Sequence, residues 1–181
     1  MDPKNSLIGN LLAPKRQEPD AELDEFARLV IGAAIEVHRH LGPGLLEEVY
    51  EEALCMEFDL RKIPFMRQER VGITYKGRAV GKGKLDLLVG GRLIVELKSV
   101  ERLAPIHSAQ IISYLRMTSR MLGLLINLNV PVFEGRNKAS RFVLIILALL
   151  ASWRFVLKCS SEVVTRRINL RQCIHNLSCF F

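Results

Sequence analysis

The chain lacks closely spaced cysteines, a secretory signal and an apolar segment of membrane-spanning length. Its four cysteines, at positions 55, 159, 173 and 179, include no CxxC pair. This spacing is typical of neither a disulfide framework nor a zinc site. The first residues contain no long apolar core of the kind that directs secretion. A reduced, cytoplasmic setting is therefore expected.

The longest apolar run, Phe142–Ala151, is too short for a transmembrane helix. Such a helix needs roughly 20 apolar residues, and polar Ser152 and charged Arg154 follow the run closely. The pattern favours a buried strand that leads into a helix. No membrane partner is expected.

The composition is that of an ordinary globular protein with a mild positive charge. Of the 181 residues, 49% are hydrophobic and 25% are charged, which suits one domain with a substantial core. The net charge is +7, of which residues 146–181 carry +4 and the preceding part +3. Charge therefore supports nucleic-acid binding only weakly.

Apolar periodicity and turn residues divide the chain into three parts. Residues 1–19 predict a flexible leader, residues 20–147 one mixed α/β domain, and residues 148–181 an extension whose apolar positions have no clear period. The domain is predicted to run helix, helix, three strands, helix, strand, strand, which favours a sheet with an antiparallel part and a crossover. The predicted helices cover residues 20–41, 45–60 and 106–120, and the strands 66–75, 78–89, 93–98, 122–128 and 141–147. A bend in the second strand is expected at Gly81 and Gly83.

One stretch near the middle of the chain combines two apolar strands with two acids. Asp86 lies in the first strand and Glu96 in the second. A carboxylate within an apolar strand is costly to bury unless it is paired or bound to a metal. Lys98 follows Glu96 by two residues and shares its face of the strand.

The length of the turn between these strands decides whether the two acids meet. A two-residue turn at Gly90-Gly91 would place them on opposite faces of the sheet. A three-residue turn at 90–92 would pair Val89 with Leu93 and place the acids directly across from each other. Two close carboxylates repel without a cation, so this second register argues for a metal, and we predict it.

Oxygen ligands of this kind suit Mg²⁺ or Mn²⁺, with water and a substrate phosphate completing the coordination. Lys98 could orient or help deprotonate an attacking water, or neutralise charge on the phosphate. A surface ion pair between Glu96 and Lys98 is the alternative, and the apolar run Leu93–Val95 argues against it.

The second helix supplies a further acid. Among Glu47, Glu48, Glu51 and Glu52, helical spacing predicts that Glu47 is the one that faces inward. A rim glutamate that binds backbone is the alternative.

The third helix carries Gln110 and Tyr114 four residues apart, hence on one face. They could bind a phosphate or hold the lysine, although a helical glutamine is usually solvated. His107 could join that face, but a lone histidine is more often a structural hydrogen-bonding residue.

The segment Gly44–Tyr50 resembles the motif of the GxxExxY protein family. Segments 41–44, 86–89, 94–98 and 110–114 are also similar to that family, and the resemblance covers about residues 22–145. The family is grouped with the PD-(D/E)XK nuclease superfamily. The resemblance therefore implies a restriction-endonuclease-like α/β core of order ααβββαβ, with a mixed sheet flanked by helices.

The resemblance also implies residue roles. The superfamily's strand aspartate, its Glu-x-Lys and its helical glutamate correspond to Asp86, Glu96, Lys98 and Glu47. The Gln-x-x-x-Tyr of some RecB-like members corresponds to Gln110 and Tyr114. Leu85 stands where the superfamily motif has proline, and the long extension is not part of the pattern.

We predict a metal-dependent phosphodiesterase that acts on nucleic acid, with DNA favoured. Asp86, Glu96 and the Leu97 carbonyl are the predicted metal ligands. Candidate phosphate contacts, any of which could instead be a solvated charge, are Arg67, Arg70, Lys82 and Lys84. The alternatives are a non-catalytic nucleic-acid-binding or regulatory module on the same fold, and an interaction protein that docks through residues 142–157. The sequence leaves a homodimer open.

Overall fold

The computed structural model describes residues 20–130 in full, and the backbone of two later strands. The helices are α1 (Ala21–Leu41), α2 (Glu47–Leu60) and α3 (Pro105–Thr118). The strands are β1 (Phe65–Arg67), β2 (Arg70–Tyr75), β3 (Arg78–Lys84), β4 (Leu87–Val89), β5 (Leu93–Lys98), β6 (Leu122–Asn127), β7 (Val143–Ala148) and β8 (Val156–Leu157). The predicted leader, and the predicted extension apart from Ala148 and β8, lie outside the described residues.

The main sheet has the strand order β1-β4-β5-β6-β7-β8, and β2 and β3 form a separate two-stranded sheet. Strands β5 and β6 are parallel and are connected through α3, whereas their other neighbours are antiparallel. This mixed sheet with helices on both faces confirms the predicted α/β class and its crossover.

Helix α1 begins and ends where its sequence predicts. The Asp20 carboxylate accepts a hydrogen bond from the Leu23 N–H (3.0 Å) and caps the first turn. The helix ends at Gly42, whose φ of 67° suits glycine. No helix among the described residues is both long and apolar enough to span a membrane.

Two apolar cores lie on opposite faces of the sheet. Leu87 and Val95 pack in the core beneath α1 and α2, whereas Leu88 and Ile94 pack in the core beneath α3. This alternation follows from the pleat of the strands. Glu96, two residues beyond Ile94, therefore belongs to the α3 face.

Two predicted strands are each split by a shared kink, which corrects the prediction. Gln68 adopts a left-handed φ of 55° and ends β1. Its N–H donates to the Asp86 carbonyl oxygen (2.9 Å), and the Leu85 N–H donates to the Glu69 carbonyl oxygen (2.9 Å). The kink therefore lies at residues 68–69 and 85–86. The bend expected at Gly81 coincides with a separate shift of register between β2 and β3, whereas the pairing at Gly83 is regular. Only the short end segments β1 and β4 of the two predicted strands join the main sheet.

The turn between β4 and β5 has the predicted three-residue register. Val89 pairs with Leu93 and Leu87 with Val95. Gly90 and Gly91 have φ values of 58° and 66°, a region that glycine enters without steric cost. The two acids are therefore brought to the same face of neighbouring strands.

Substitution of the two turn glycines separates backbone strain from packing. Both Gly90→Ala and Gly91→Ala place a side chain at positive φ, but only at Gly90 would the added Cβ overlap the Phe26 ring. We expect Gly91→Ala to lower the free energy of unfolding by about 1–2 kcal/mol and Gly90→Ala by about 1–3 kcal/mol more. Urea denaturation measures both, and equal losses would contradict the packing role of Phe26.

Candidate active site

The centre of the site is a pair of acids, Asp86 directly before β4 and Glu96 on the neighbouring antiparallel strand β5. One step beyond the Leu87–Val95 pair, Asp86 lies across from Glu96. The Asp86 Oδ2 accepts a hydrogen bond from the Leu97 N–H (2.8 Å). This carboxylate takes the place of a backbone acceptor where the strand ladder ends, so Asp86 is fixed relative to β5.

Glu96 is buried among apolar strands, and its side chain is 1% exposed. Its Oε1 accepts a hydrogen bond from Lys98 Nζ (3.0 Å). Its Oε2 is also buried and accepts no hydrogen bond within the described part of the chain. A buried carboxylate oxygen without a donor is costly, and it leaves an acceptor free for a cation.

The environment shifts both acids towards their neutral forms. Burial raises the pKa of Glu96 to about 7, the nearby Asp86 charge adds to this, and Lys98 opposes it. Burial also raises the pKa of Asp86, against the Leu97 hydrogen bond and the Lys98 charge. The pair is therefore poised to ionise fully when a positive charge arrives.

Lys98 lies among three oxygen acceptors. Its Nζ donates to the Leu97 carbonyl oxygen (2.6 Å) and to Glu96 Oε1, and it lies 3.5 Å from Glu47 Oε1. Burial acts to lower the pKa of Lys98, but the charges of Glu96, Asp86 and Glu47 outweigh it, and the net pKa is raised. Lys98 is thus a stable ammonium ion rather than a proton acceptor.

Glu47 reaches the same end of β5 from α2. Its Oε2 accepts a hydrogen bond from the Ser99 N–H (3.2 Å), and the Ser99 hydroxyl donates to the Leu45 carbonyl oxygen (2.5 Å). Tyr50 supports the preceding loop, since its hydroxyl donates to the Gly42 carbonyl oxygen (2.6 Å). Glu47 therefore links the start of α2 to the end of β5, and Tyr50 holds the loop that precedes the helix.

The prediction that Glu47 alone faces inward was wrong. Glu51 is the buried acid of α2, whereas the Glu47 side chain is 41% exposed. Both Glu51 oxygens accept from Gln68 Nε2 (2.9 and 2.8 Å), and Oε1 also accepts from Arg67 Nε (3.2 Å). Glu51 shares a helical stripe with Leu54. Its hydrogen-bond partners, Arg67 at the end of β1 and Gln68 in the kink, are distant in sequence, so helical periodicity could not predict them.

The residues of α3 lie apart from the acids. Gln110 Nε2 is 3.5 Å from the Tyr114 hydroxyl, and the Tyr114 ring covers Gly83 of β3. No hydrogen bond or ion pair within the described residues joins Gln110 or Tyr114 to the acidic pair. His107 Nδ1 accepts from the Ala104 N–H (3.1 Å) and caps α3, which agrees with a structural role.

Asn127 is a site residue that sequence analysis missed. It is buried at the end of β6, accepts a hydrogen bond from the Val100 N–H (3.1 Å) and donates to the Val100 carbonyl oxygen (2.7 Å). It therefore fixes the chain just beyond Lys98. The sequence feature that could have indicated it is the single polar amide side chain directly after the apolar run 122–126.

The donor set fits a divalent cation that takes few protein ligands. Over the described residues, no three His, Cys, Asp or Glu side chains converge on one position, so Glu47 does not complete a three-carboxylate cluster. Asp86 and the free Glu96 Oε2 provide two hard oxygens on one face. Mg²⁺ is commonly held by one or two carboxylates together with water and substrate phosphates.

The raised pKa of Glu96 predicts a pH-dependent loss of stability. In the folded protein Glu96 ionises near 7 instead of 4.5, so the folded state binds this proton more tightly. The free energy of unfolding should fall as pH rises through this range, by on the order of 3 kcal/mol. In EDTA, Glu96→Gln should therefore be more stable than the wild type at pH 8 and similar to it at pH 4.5. Urea denaturation at the two pH values would reject this if the difference were independent of pH.

Glu51 and its neighbour Glu52 form a matched pair for a stability test. Glu51→Ala would leave Gln68 and Arg67 without their buried acceptor, and we expect a loss of about 1–3 kcal/mol. Glu52 is 60% exposed, and its one ion pair among the described residues is with Arg67, so Glu52→Ala should cost about 0–1 kcal/mol. Similar losses in urea denaturation would show that the Glu51 contacts do not stabilise the kink.

Comparison with known proteins agrees with this geometry. The family model of the PD-(D/E)XK nuclease superfamily matches residues 24–141, well over half of the chain. The matched segment includes Asp86, Glu96 and Lys98, and also Gln110 and Tyr114 of α3. No curated protein and no solved structure shows a significant match. The chain belongs to the PD-(D/E)XK nuclease superfamily.

Proposed function

We propose that this protein is a metal-dependent phosphodiester hydrolase that acts on nucleic acid, with DNA as the favoured substrate. The observation that carries the proposal is the pair Asp86 and Glu96, opposed across two strands with a buried glutamate oxygen left without a donor. Superfamily membership supports nuclease chemistry on nucleic acid. We place the protein in the cytoplasm, as its sequence predicts.

Asp86 and Glu96 would hold Mg²⁺ or Mn²⁺, and the Leu97 carbonyl would add a third oxygen. That carbonyl already accepts from Lys98, but it has a second lone pair. A bound divalent cation supplies positive charge against the phosphate and makes water a stronger acid. The Leu97 N–H holds Asp86 in the orientation that this role needs.

Lys98 acts as a positive charge and hydrogen-bond donor rather than as a base. Its raised pKa keeps it protonated, so its ammonium group can stabilise negative charge that develops on the phosphate. Glu47 holds the Ser99 backbone and lies beside the lysine, and we assign it a role in positioning Lys98.

Gln110 and Tyr114 are proposed to position substrate. They share one face of α3, are half-buried and leave polar groups at the surface of the same side of the sheet as Glu96. Within the superfamily, we propose membership of the GxxExxY group. Two residues of that motif tie the start of α2 to the sheet, since Glu47 accepts from the Ser99 N–H after β5 and the Gly44 N–H donates to Asn129 after β6. Tyr50 holds the loop between α1 and α2.

The alternative is a nucleic-acid-binding module that has the fold without catalysis. Among the residues that the structure describes, no third carboxylate converges on Asp86 and Glu96, which supports this reading. It predicts binding that survives loss of Glu96 and no metal-dependent cleavage.

Cleavage assays with matched variants test the proposal. Single- and double-stranded DNA and RNA are incubated with Mg²⁺, Mn²⁺ or EDTA. We expect cleavage only with a divalent cation and a loss of about a hundredfold or more in Glu96→Gln and Lys98→Met. Glu48→Gln and Lys62→Met, at exposed positions away from the acids, should retain wild-type rates.

Calorimetry with Mn²⁺ separates metal binding from chemistry. Asp86→Asn and Glu96→Gln should abolish the binding heat, whereas Lys98→Met should retain it. Metal binding unchanged in Glu96→Gln would refute the assigned ligands. Absence of cleavage, with nucleic-acid binding retained in Glu96→Gln, would establish the non-catalytic module instead.

A further inference from the structure

The hairpin of β2 and β3, residues 70–84 and here called the β2–β3 arm, leaves the main sheet at the kink. One of its faces is covered by α3. Val71 is buried in the same core as Ile111 and Leu115. The Tyr114 ring lies so close to Gly83 that a Cβ there would come within 2.7 Å of it. The arm is therefore anchored on one side.

The opposite face of the arm is exposed and basic. Arg70 pairs with Lys84, and Gly72 pairs with Lys82, in the register that alternates with the anchored Val71–Gly83 pair. Because side chains alternate across a strand, the three cations share the uncovered face. All three are exposed, and none forms an ion pair with another described residue. Arg67, by contrast, is bound by Glu51 and Glu52.

Positive charge in the domain is concentrated in this arm. Residues 69–84 contain five Lys or Arg and one acid, a net charge of +4. The other residues up to position 145 together carry −1. The mild average charge of the domain therefore conceals a local cationic surface beside an acidic site, an arrangement that attracts a polyanion.

The basic face leads directly to the acids. Lys84 is two residues before Asp86, and β3 extends away from the site for seven residues, or roughly 20–24 Å. At the far end Tyr75 is 64% exposed, with Lys76 Nζ 5.4 Å from its ring centroid. The arm thus offers cations along a length that spans several phosphates of a nucleic-acid strand.

We propose that the β2–β3 arm binds the phosphate backbone of the nucleic acid that enters the acidic site, through Arg70, Lys82 and Lys84. This inference rests on the proposed function and identifies how that substrate is held. The basic face offers Arg and Lys but no Asn or Gln side chain, and Gly72 lies between the cations, which suits charge-based contacts to phosphates. Binding is accordingly independent of sequence.

Fluorescence anisotropy in EDTA tests the arm without cleavage. A labelled 20-base-pair DNA duplex of arbitrary sequence is titrated with full-length protein between 50 and 200 mM NaCl. Each lost phosphate contact should reduce the slope of log K against log salt by about 0.9. For Arg70→Gln/Lys82→Gln/Lys84→Gln we expect a slope smaller by about 2–3 and an affinity lower by about tenfold or more at 50 mM NaCl.

A charge-matched control isolates position from net charge. The variant Arg28→Gln/Arg39→Gln/Lys62→Gln also removes three positive charges, but from exposed sites outside the arm. It should bind the duplex nearly as the wild type does. Equal affinity and slope in the two triple variants would overturn the proposal, as would failure of the wild type to bind the duplex.

Outcomes for the arm and for catalysis are separable. Binding that depends on the arm, without metal-dependent cleavage, would support the arm and refute the hydrolase. Metal-dependent cleavage with undiminished binding by the arm variant would refute the arm and leave the hydrolase standing. Urea denaturation of each triple variant verifies that the fold is retained.

Discussion

The close approach of two carboxylates inside an apolar sheet is the constraint on which the rest of this structure depends. Asp86 and Glu96 meet because the β4–β5 turn has three residues, and the turn has that form because Gly90 and Gly91 accept positive φ. The free-energy cost of burying these carboxylates is only partly offset, because one Glu96 oxygen receives no hydrogen bond from the described residues. Such a departure from the rule that buried polar groups are satisfied is expected where a sequence is selected for chemistry.

The scaffold around this pair is held by backbone contacts from several elements. β5 is buried on both faces, and the chain beyond it is fixed by Asn127 from β6 and by Glu47 from α2. Lys98 therefore leaves a rigid strand with little freedom in its main chain. Functional groups carried on a packed strand are placed more accurately than groups on a free loop. In our proposal, the more exposed β2–β3 arm guides the approach of substrate.

Local sequence patterns predicted the helices, most strands and the β4–β5 register. The kink and the separate β2–β3 arm depend on long-range contacts and were not predicted. The Asp20 cap, the apolar stripe of α1 and the glycines of the turn are encoded within a few residues, so α1 and the Asp86–Glu96 pairing followed from sequence. The kink at Gln68 depends on contact with Glu51, seventeen residues earlier. The positive charge of the arm was not recognised from the sequence, because charge was averaged over the whole domain. The two strands of the arm were also expected to belong to the main sheet rather than to a separate hairpin.

Asp86 serves the fold as well as the site, and this has an evolutionary consequence. Its carboxylate satisfies the Leu97 N–H at the point where the strand ladder ends, so replacement by an apolar residue would leave a backbone donor unpaired inside the protein. Among the described residues, the Glu96 carboxylate bonds only to Lys98, and its removal relieves the buried charge. Descendants that abandon the proposed chemistry would therefore lose Glu96 first, because loss of Lys98 alone would leave the buried carboxylate without its donor. An intact aspartate beside a replaced glutamate would mark such an inactivated copy.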